Sequence, residues 1–202
     1  MSREMDIQEH YRQRLEQFGD TAEAAQYSDR ASQEKRYAIL TEIAPLEGCR
    51  ILDFGSGTGH LATYLKSRQI NVDYTGIDIV PELLGYGRSK HPEHRFMLWE
   101  ELADETFDYA FVSGVFNNRM DDNRTFYQNT VSQLFSRVTK GLAFNLMSTY
   151  VDYQDDELFY EAPEAAFSYV KQLTPTVTLR HDYQVKQGVI PFEYAVYAYK
   201  QP

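Results

Sequence analysis

The chain has 202 residues, 43% of them hydrophobic and 25% charged, with a formal net charge of −10. That length suits one domain with a substantial core, and the acidity argues against a basic face for nucleic acid or an anionic membrane. The single cysteine, Cys49, excludes an internal disulfide and a cysteine-built zinc site; with a polar start at residues 1–6 and no run near ~20 apolar residues, the cytoplasm is the expected setting.

Ile7, Tyr11, Leu15 and Phe18 share one face of an amphipathic helix, which Gly19 and Asp20 stop. A second helix is expected over residues 31–44, with Tyr37, Leu40 and Ala44 on one face and Pro45 ending it. Strand 1 is expected at Arg50–Phe54 and a helix over 59–67. Strand 2 covers 71–79 with Asp78 near its end. Pro81 opens a short helix at 82–84 before Gly85 and Gly87. Strand 3 is expected over 94–98. Strand 4, Phe107–Val112, is almost continuously apolar, as in a strand covered on both faces. The longest helix is expected over 122–139, with Tyr127, Val131, Leu134, Phe135 and Val138 as its stripe. Strand 5 covers 141–146, and a polar and aromatic loop runs from 148 to 160. A helix follows over Pro163–Leu173. Two antiparallel strands close the chain, 177–186 and 192–200. The second is apolar on both sides, with Phe192, Tyr194, Val196 and Ala198 on one and Ala195, Tyr197 and Tyr199 on the other. It therefore reads as interior. Strands alternating with helices make this an α/β chain with a mostly parallel sheet and helices on both faces.

Between strand 1 and its helix stands Asp53-Phe54-Gly55-Ser56-Gly57-Thr58-Gly59-His60. A glycine-rich turn of this kind aims N–H groups of the helix N-terminus at a ligand and lets the backbone approach it closely. The dinucleotide fingerprint would need a small residue at position 60; His60 stands there and the third glycine comes one residue early. The D-x-G-x-G-x-G pattern resembles motif I of the class I S-adenosylmethionine (SAM) dependent methyltransferases, in particular the small bacterial branch that acts on small molecules. The resemblance implies a Rossmann-like methyltransferase fold: seven strands in the order 3-2-1-4-5-7-6, strand 7 antiparallel. It also implies one domain, with residues 1–46 an N-terminal helical cap and 47–202 the SAM-binding core.

On that resemblance Asp53, Gly55, Ser56, Gly57 and Gly59 hold the amino-acid end of SAM. Asp78, with Ile79 beside it, meets the ribose hydroxyls, a task for which an acid at the end of strand 2 can accept two hydrogen bonds. Glu100 stands where the family keeps an acid for the adenine amino group, although the pair here is Trp99-Glu100 and the family usually has Gly-Asp. Glu101 competes for that role, and Trp99 either stacks on a ring or covers the sheet edge. Ser113 and Gly114 lie beside the methionine part. Tyr27, Arg36, Phe116, Asn117 and Tyr150 are the candidates for the substrate side. The Ser-Gly-x-Phe-Asn string at 113–117 resembles small bacterial methyltransferases, some of them in sugar or secondary-metabolite pathways.

Methyl transfer from a sulfonium is an in-line displacement in which the cofactor carries the activation and the protein orients and desolvates. The absence of a visible catalytic dyad is consistent with that, and no catalytic residue is assigned. The scattered histidines offer no metal-ligand spacing, and no metal is expected. The expected function is transfer of a methyl group to O or N of a small-molecule acceptor. A non-catalytic SAM- or nucleotide-binding module, or a partner subunit, is the alternative. An NAD-linked oxidoreductase is disfavoured by position 60.

Overall fold

The computed structural model describes residues 3–201, so the first two residues of the polar N-terminal stretch and the last residue of the chain lie outside it. The elements in order are α1 (Arg3–Phe18), α2 (Arg30–Thr41), β1 (Arg50–Phe54), α3 (His60–Ser67), β2 (Asp73–Ile77), α4 (Pro81–Lys90), β3 (Arg95–Met97), a 3-10 turn (Trp99–Glu101), β4 (Phe107–Val112), α5 (Asn123–Ser136), β5 (Val138–Ser148), β6 (Tyr160–Glu161), α6 (Pro163–Leu173), β7 (Val177–Arg180) and β8 (Glu193–Tyr199). The sheet runs β3-β2-β1-β4-β5-β8-β7. β8 is antiparallel to both β5 and β7, and the other pairs are parallel. This is the expected order, its numbering moved by one because the two-residue β6 pairs with the end of β5.

Side chains alternate across the pleat, so each strand feeds two cores. Ile51, Tyr74, Phe111, Ala195 and Tyr197 pack with α2, α3 and Phe96 on one side. Leu52, Val112, Phe144, Tyr194 and Val196 pack with α5 and α6 on the other. β8 is interior, as its two apolar faces predict, although Phe192 falls outside the strand and joins the Tyr197 side. Among the described residues no helix is long and apolar enough to cross a membrane.

Several boundaries differ from expectation; α2 ends at Thr41, and β2 ends at Ile77, one residue before Asp78. α4 continues through both glycines to Lys90. Gly87 is needed there because a Cβ would meet the Phe96 ring at 2.5 Å; it marks close packing of the helix on β3 and does not end the helix. α5 stops at Ser136, and Val138 begins an eleven-residue β5. Val138 lies four residues after Leu134 and so continues the helical stripe by spacing alone. α1, at 16 residues, is consequently longer than α5, at 14. β7 ends at Arg180, after which Tyr183 and Val185 turn into the core beside α2.

Candidate active site

The C-terminal ends of β1, β2 and β4 meet at one place, and the glycine-rich turn lies over it. Gly57 and Gly59 have φ of +55° and +79°, a left-handed conformation that side chains resist. A Cβ on Gly59 would meet Phe96 at 2.6 Å, whereas a Cβ on Gly57 would meet nothing within 4 Å. Gly59 is thus closed by packing and Gly57 faces open space.

Four of the turn's N–H groups are already bonded within the protein. Gly55 and Ser56 donate to the Ile77 carbonyl (2.8 and 2.9 Å), and Gly59 donates to the Ser56 carbonyl (2.9 Å). Gly57 donates to Asp78 Oδ2 (2.8 Å). Thr58 and the first residues of α3, His60, Leu61 and Ala62, have no such bond among the described residues. The Ser56 hydroxyl is buried without a partner, 2.8 Å from where a Gly76 Cβ would lie, so it points down into β2.

Two carboxyl groups flank the turn. Asp53 is 3% exposed and accepts a hydrogen bond from the Tyr74 hydroxyl (2.6 Å). Burial pushes its carboxyl up to about 7; the Tyr74 bond opposes this and the nearby Asp78 adds to it. Asp78 is also raised by burial, against the bonds it accepts from the N–H groups of Val80, Gly57 and Ile79.

The helical segment before β1 closes over these strand ends. Gln8 donates to the Ile79 carbonyl (3.0 Å), and Arg12 pairs with Glu82 (2.9 Å). Leu15 packs on Val80 and Leu83. Asp20 accepts from Thr58 of the turn and pairs with Lys90 at the end of α4 (2.7 Å). Asn118, beyond β4, donates to the Tyr11 hydroxyl (3.1 Å).

Tyr27, Arg36, Ser113 and Gly114 come together in a closed polar circuit. The Tyr27 hydroxyl donates to the Ser113 carbonyl (3.1 Å), and the Arg36 guanidinium lies 4.9 Å from the Tyr27 ring centroid. Arg36 Nε pairs with Glu193 Oε2 (2.8 Å), both side chains being buried. Asn145 Nδ2 donates to Glu193 Oε1 (3.3 Å), and Asn145 Oδ1 accepts from the Gly114 N–H (2.8 Å). Tyr183 also donates to Glu193 (3.1 Å). Asn145 and Glu193 escaped the sequence reading, although Asn145 interrupts the apolar run of 141–147 and Glu193 stands between Phe192 and Tyr194.

Other candidates stand elsewhere. Phe116 is 1% exposed, with its ring edge-on to Phe126, Tyr127 and Phe144, so it is a core residue that does not look toward an acceptor. Asn117 is half-buried with Oδ1 unpartnered. Tyr150 is 60% exposed and bonds Glu164. It lines a pocket of about 430 Å³ with Phe167, Leu179 and His181, which none of the other candidates reaches. Glu100 is exposed on the 3-10 turn, while Glu101 Oε2 accepts from the Leu98 N–H (2.8 Å). Trp99 stands edge-on to Phe54 and under Arg137, covering the sheet. His60 is buried and pairs with Glu34 of α2 (3.0 Å). Among the described residues no group of three His, Cys, Asp or Glu is placed to hold a metal ion.

A family model described as "Methyltransferase domain" matches residues 45–178. The chain belongs to this family. It is a class I SAM-dependent methyltransferase. The Mycobacterium tuberculosis protein Rv1506c, named as a methyltransferase, is 32% identical over 149 residues, covering 69% of this chain and 90% of its own. A TehB-like SAM-dependent methyltransferase from Corynebacterium glutamicum aligns with a TM-score of 0.61 at 19% identity, over 96% and 99% of the two chains. The magnesium protoporphyrin IX methyltransferase of Synechocystis, solved with bound SAM, gives 0.60 at 13% identity over 85% and 80%. The methyltransferase therefore shares its fold with a wide group, while identity this low leaves the acceptor open.

Proposed function

We propose that the methyltransferase transfers the methyl group of SAM to an oxygen or nitrogen of a small-molecule acceptor, with sugars and secondary metabolites as the candidate classes. The observation that carries the cofactor side is the pair of acids, Asp53 and Asp78, that flank the glycine-rich turn, Asp78 bonding its Gly57 N–H. An acid buried beside the turn at Asp53 disfavours the anionic pyrophosphate of a dinucleotide. Two carboxyl groups and the turn's carbonyls form a surface that suits the ammonium and ribose hydroxyls of SAM. The open space at Gly57 is the room it would occupy.

Asp53, Gly55, Gly57 and Gly59 would hold the amino-acid end, Ser56 contributing backbone alone. Asp78 would take the ribose with Ile79 as its floor. Glu100, exposed and without a packed partner, remains the adenine-side acid, and Ser113 and Gly114 would line the methionine side. When bound, SAM supplies a methyl group on a positive sulfur, already activated for in-line displacement. The chain's own residues orient and exclude water. Tyr11 and Tyr27 cover the site from the cap, and the Arg36–Glu193 pair fixes the cap against β8. Asn117 Oδ1, buried without a partner, is the acceptor-side group best placed to accept a new hydrogen bond.

Residues 1–46 would form the cap and 47–202 the cofactor core; the family match begins at residue 45, while α2 also gives side chains to the main core. Net charge −10 and a lone buried cysteine fit work in a reducing cytoplasm on a small-molecule partner, with neither nucleic acid nor membrane. Thermal unfolding with SAM, S-adenosylhomocysteine and NAD tests the reading. The first two should raise the transition and NAD should leave it unmoved. No response to either sulfur compound overturns it.

A further inference from the structure

Asp53 is a buried carboxyl without a counter-charge. Burial, the Tyr74 hydroxyl and Asp78 are what act on it, and no Lys, Arg or His is among them. The phenols of Tyr27 and Tyr37, from the cap and α2, are the other titratable groups near enough to feel it. Oδ2 is taken by Tyr74 at 2.6 Å, while Oδ1 accepts no hydrogen bond from the described residues. Tyr74 itself is fully buried on β2, level with Ile51 of β1. Its ring is held between His94 (5.4 Å) and Phe96 (5.5 Å). A rigid phenol thus grips one oxygen of an acid at the end of β1, and the other oxygen is left over.

We propose that Tyr74 is a positioning residue for the cofactor: it holds Asp53 Oδ2 from within the core and leaves Oδ1 to receive the ammonium of the cofactor's amino-acid end. The inference rests on the SAM reading above. Its consequence is a pH-dependent affinity, since an uncompensated buried carboxylate forms reluctantly and the arriving ammonium supplies the missing charge. Tyr74 favours the ionised form through its hydrogen bond, so removing the hydroxyl moves the dependence to higher pH.

The test is calorimetric titration of the full chain with S-adenosylhomocysteine at pH 6, 7 and 8. Wild-type affinity should rise about tenfold from pH 6 to 8, the span over which a carboxyl near 7 ionises. Tyr74→Phe keeps the ring and should weaken binding at pH 7 by roughly tenfold, the worth of one hydrogen bond to a charged group. In Asp53→Asn the pH dependence should vanish, and adding Tyr74→Phe to it should cost little more. An unchanged affinity and pH profile in Tyr74→Phe overturns the inference. So does a Tyr74→Phe loss that persists in the Asp53→Asn background, which would show that the hydroxyl acts by a route other than Asp53. If wild-type protein binds no S-adenosylhomocysteine at any pH, the SAM reading itself falls.

Discussion

At Gly57 and Gly59 the backbone has the same hand and the surroundings are opposite. Any side chain at either position meets left-handed strain of about 1–2 kcal/mol. At Gly59 a methyl group would also press into Phe96. Gly59→Ala should therefore destabilise by about 2–4 kcal/mol, and Gly57→Ala by about 1–2 kcal/mol. Gly57→Ala should nonetheless impair S-adenosylhomocysteine binding, because its methyl group enters the open cradle. Urea unfolding and calorimetry on the same two variants separate the effects. Asp53 makes a second prediction at this scale. Its folded-state value, about 7, lies above that of an unfolded aspartate, about 3.9. The folded protein then holds the proton longer, so Asp53 subtracts stability as pH climbs from about 4 through 7, and the full deficit stands above that. Asp53→Asn should leave stability nearly unchanged at pH 4 and raise that of the ligand-free protein by about 2–4 kcal/mol at pH 8. A melting difference that shrinks with rising pH would contradict this.

Among the elements, the join between α2 and β8 decides most. Arg36 and Glu193 are both buried, 157 residues apart in sequence, and each holds further partners, Ser32 for one and Asn145 and Tyr183 for the other. Removing one member leaves a buried charge uncompensated, so Arg36→Met should cost about 3–5 kcal/mol. Replacing both by methionine should recover only part of that, because Asn145 Nδ2 and the Tyr183 hydroxyl then lose the acceptor that Glu193 gave them. Denaturant midpoints of the two variants and the wild type check it. This join also marks the limit of what the chain's pattern reveals. The β1–turn–α3 unit, β4 and α6 were legible because apolar period, glycine spacing and an opening proline all agreed. Asp78 was legible from its place at a strand end. The Arg36–Glu193–Asn145 circuit was not, since pairing across the fold has no local spacing. Its trace is only that Asn145 and Glu193 interrupt apolar runs. Tyr74 hid for a different reason, as a tyrosine in a strand fits the apolar pattern while its hydroxyl does separate work. α4 and the α5–β5 junction misled by punctuation: Gly87 serves close packing, and Val138 satisfies both periods at once.

For the whole molecule the question is where the cap ends energetically. The family match begins at residue 45, which would set both α1 and α2 outside the matched unit. Packing divides them differently. α1 adds Leu15 and part of Tyr11 to a small cluster with Val80 and Leu83. α2 and the turn after it give Tyr37, Ile39, Leu40, Ile43 and Leu46 to the main core, and Tyr197 donates to the Ile39 carbonyl. At about 1.5–3 kcal/mol for each large buried side chain, the second group is worth as much as a typical domain's whole stability, about 5–15 kcal/mol. The first is worth about 2–4 kcal/mol. A chain beginning at residue 20 should therefore still unfold cooperatively, a few kcal/mol less stable. It should bind S-adenosylhomocysteine more weakly, because Gln8 and Tyr11 no longer cover the ends of β2 and β4. A chain beginning at residue 45 should lose the cooperative transition and expose apolar surface, despite retaining every residue of the family match. Circular dichroism melts and dye binding on the two truncations decide between the boundaries. If the shorter chain melts as sharply as the longer one, α2 belongs with α1 to a detachable cap. If it does not, α2 is part of the sheet's cover, and only α1 and the segment up to Asp29 are free to open when the cofactor enters.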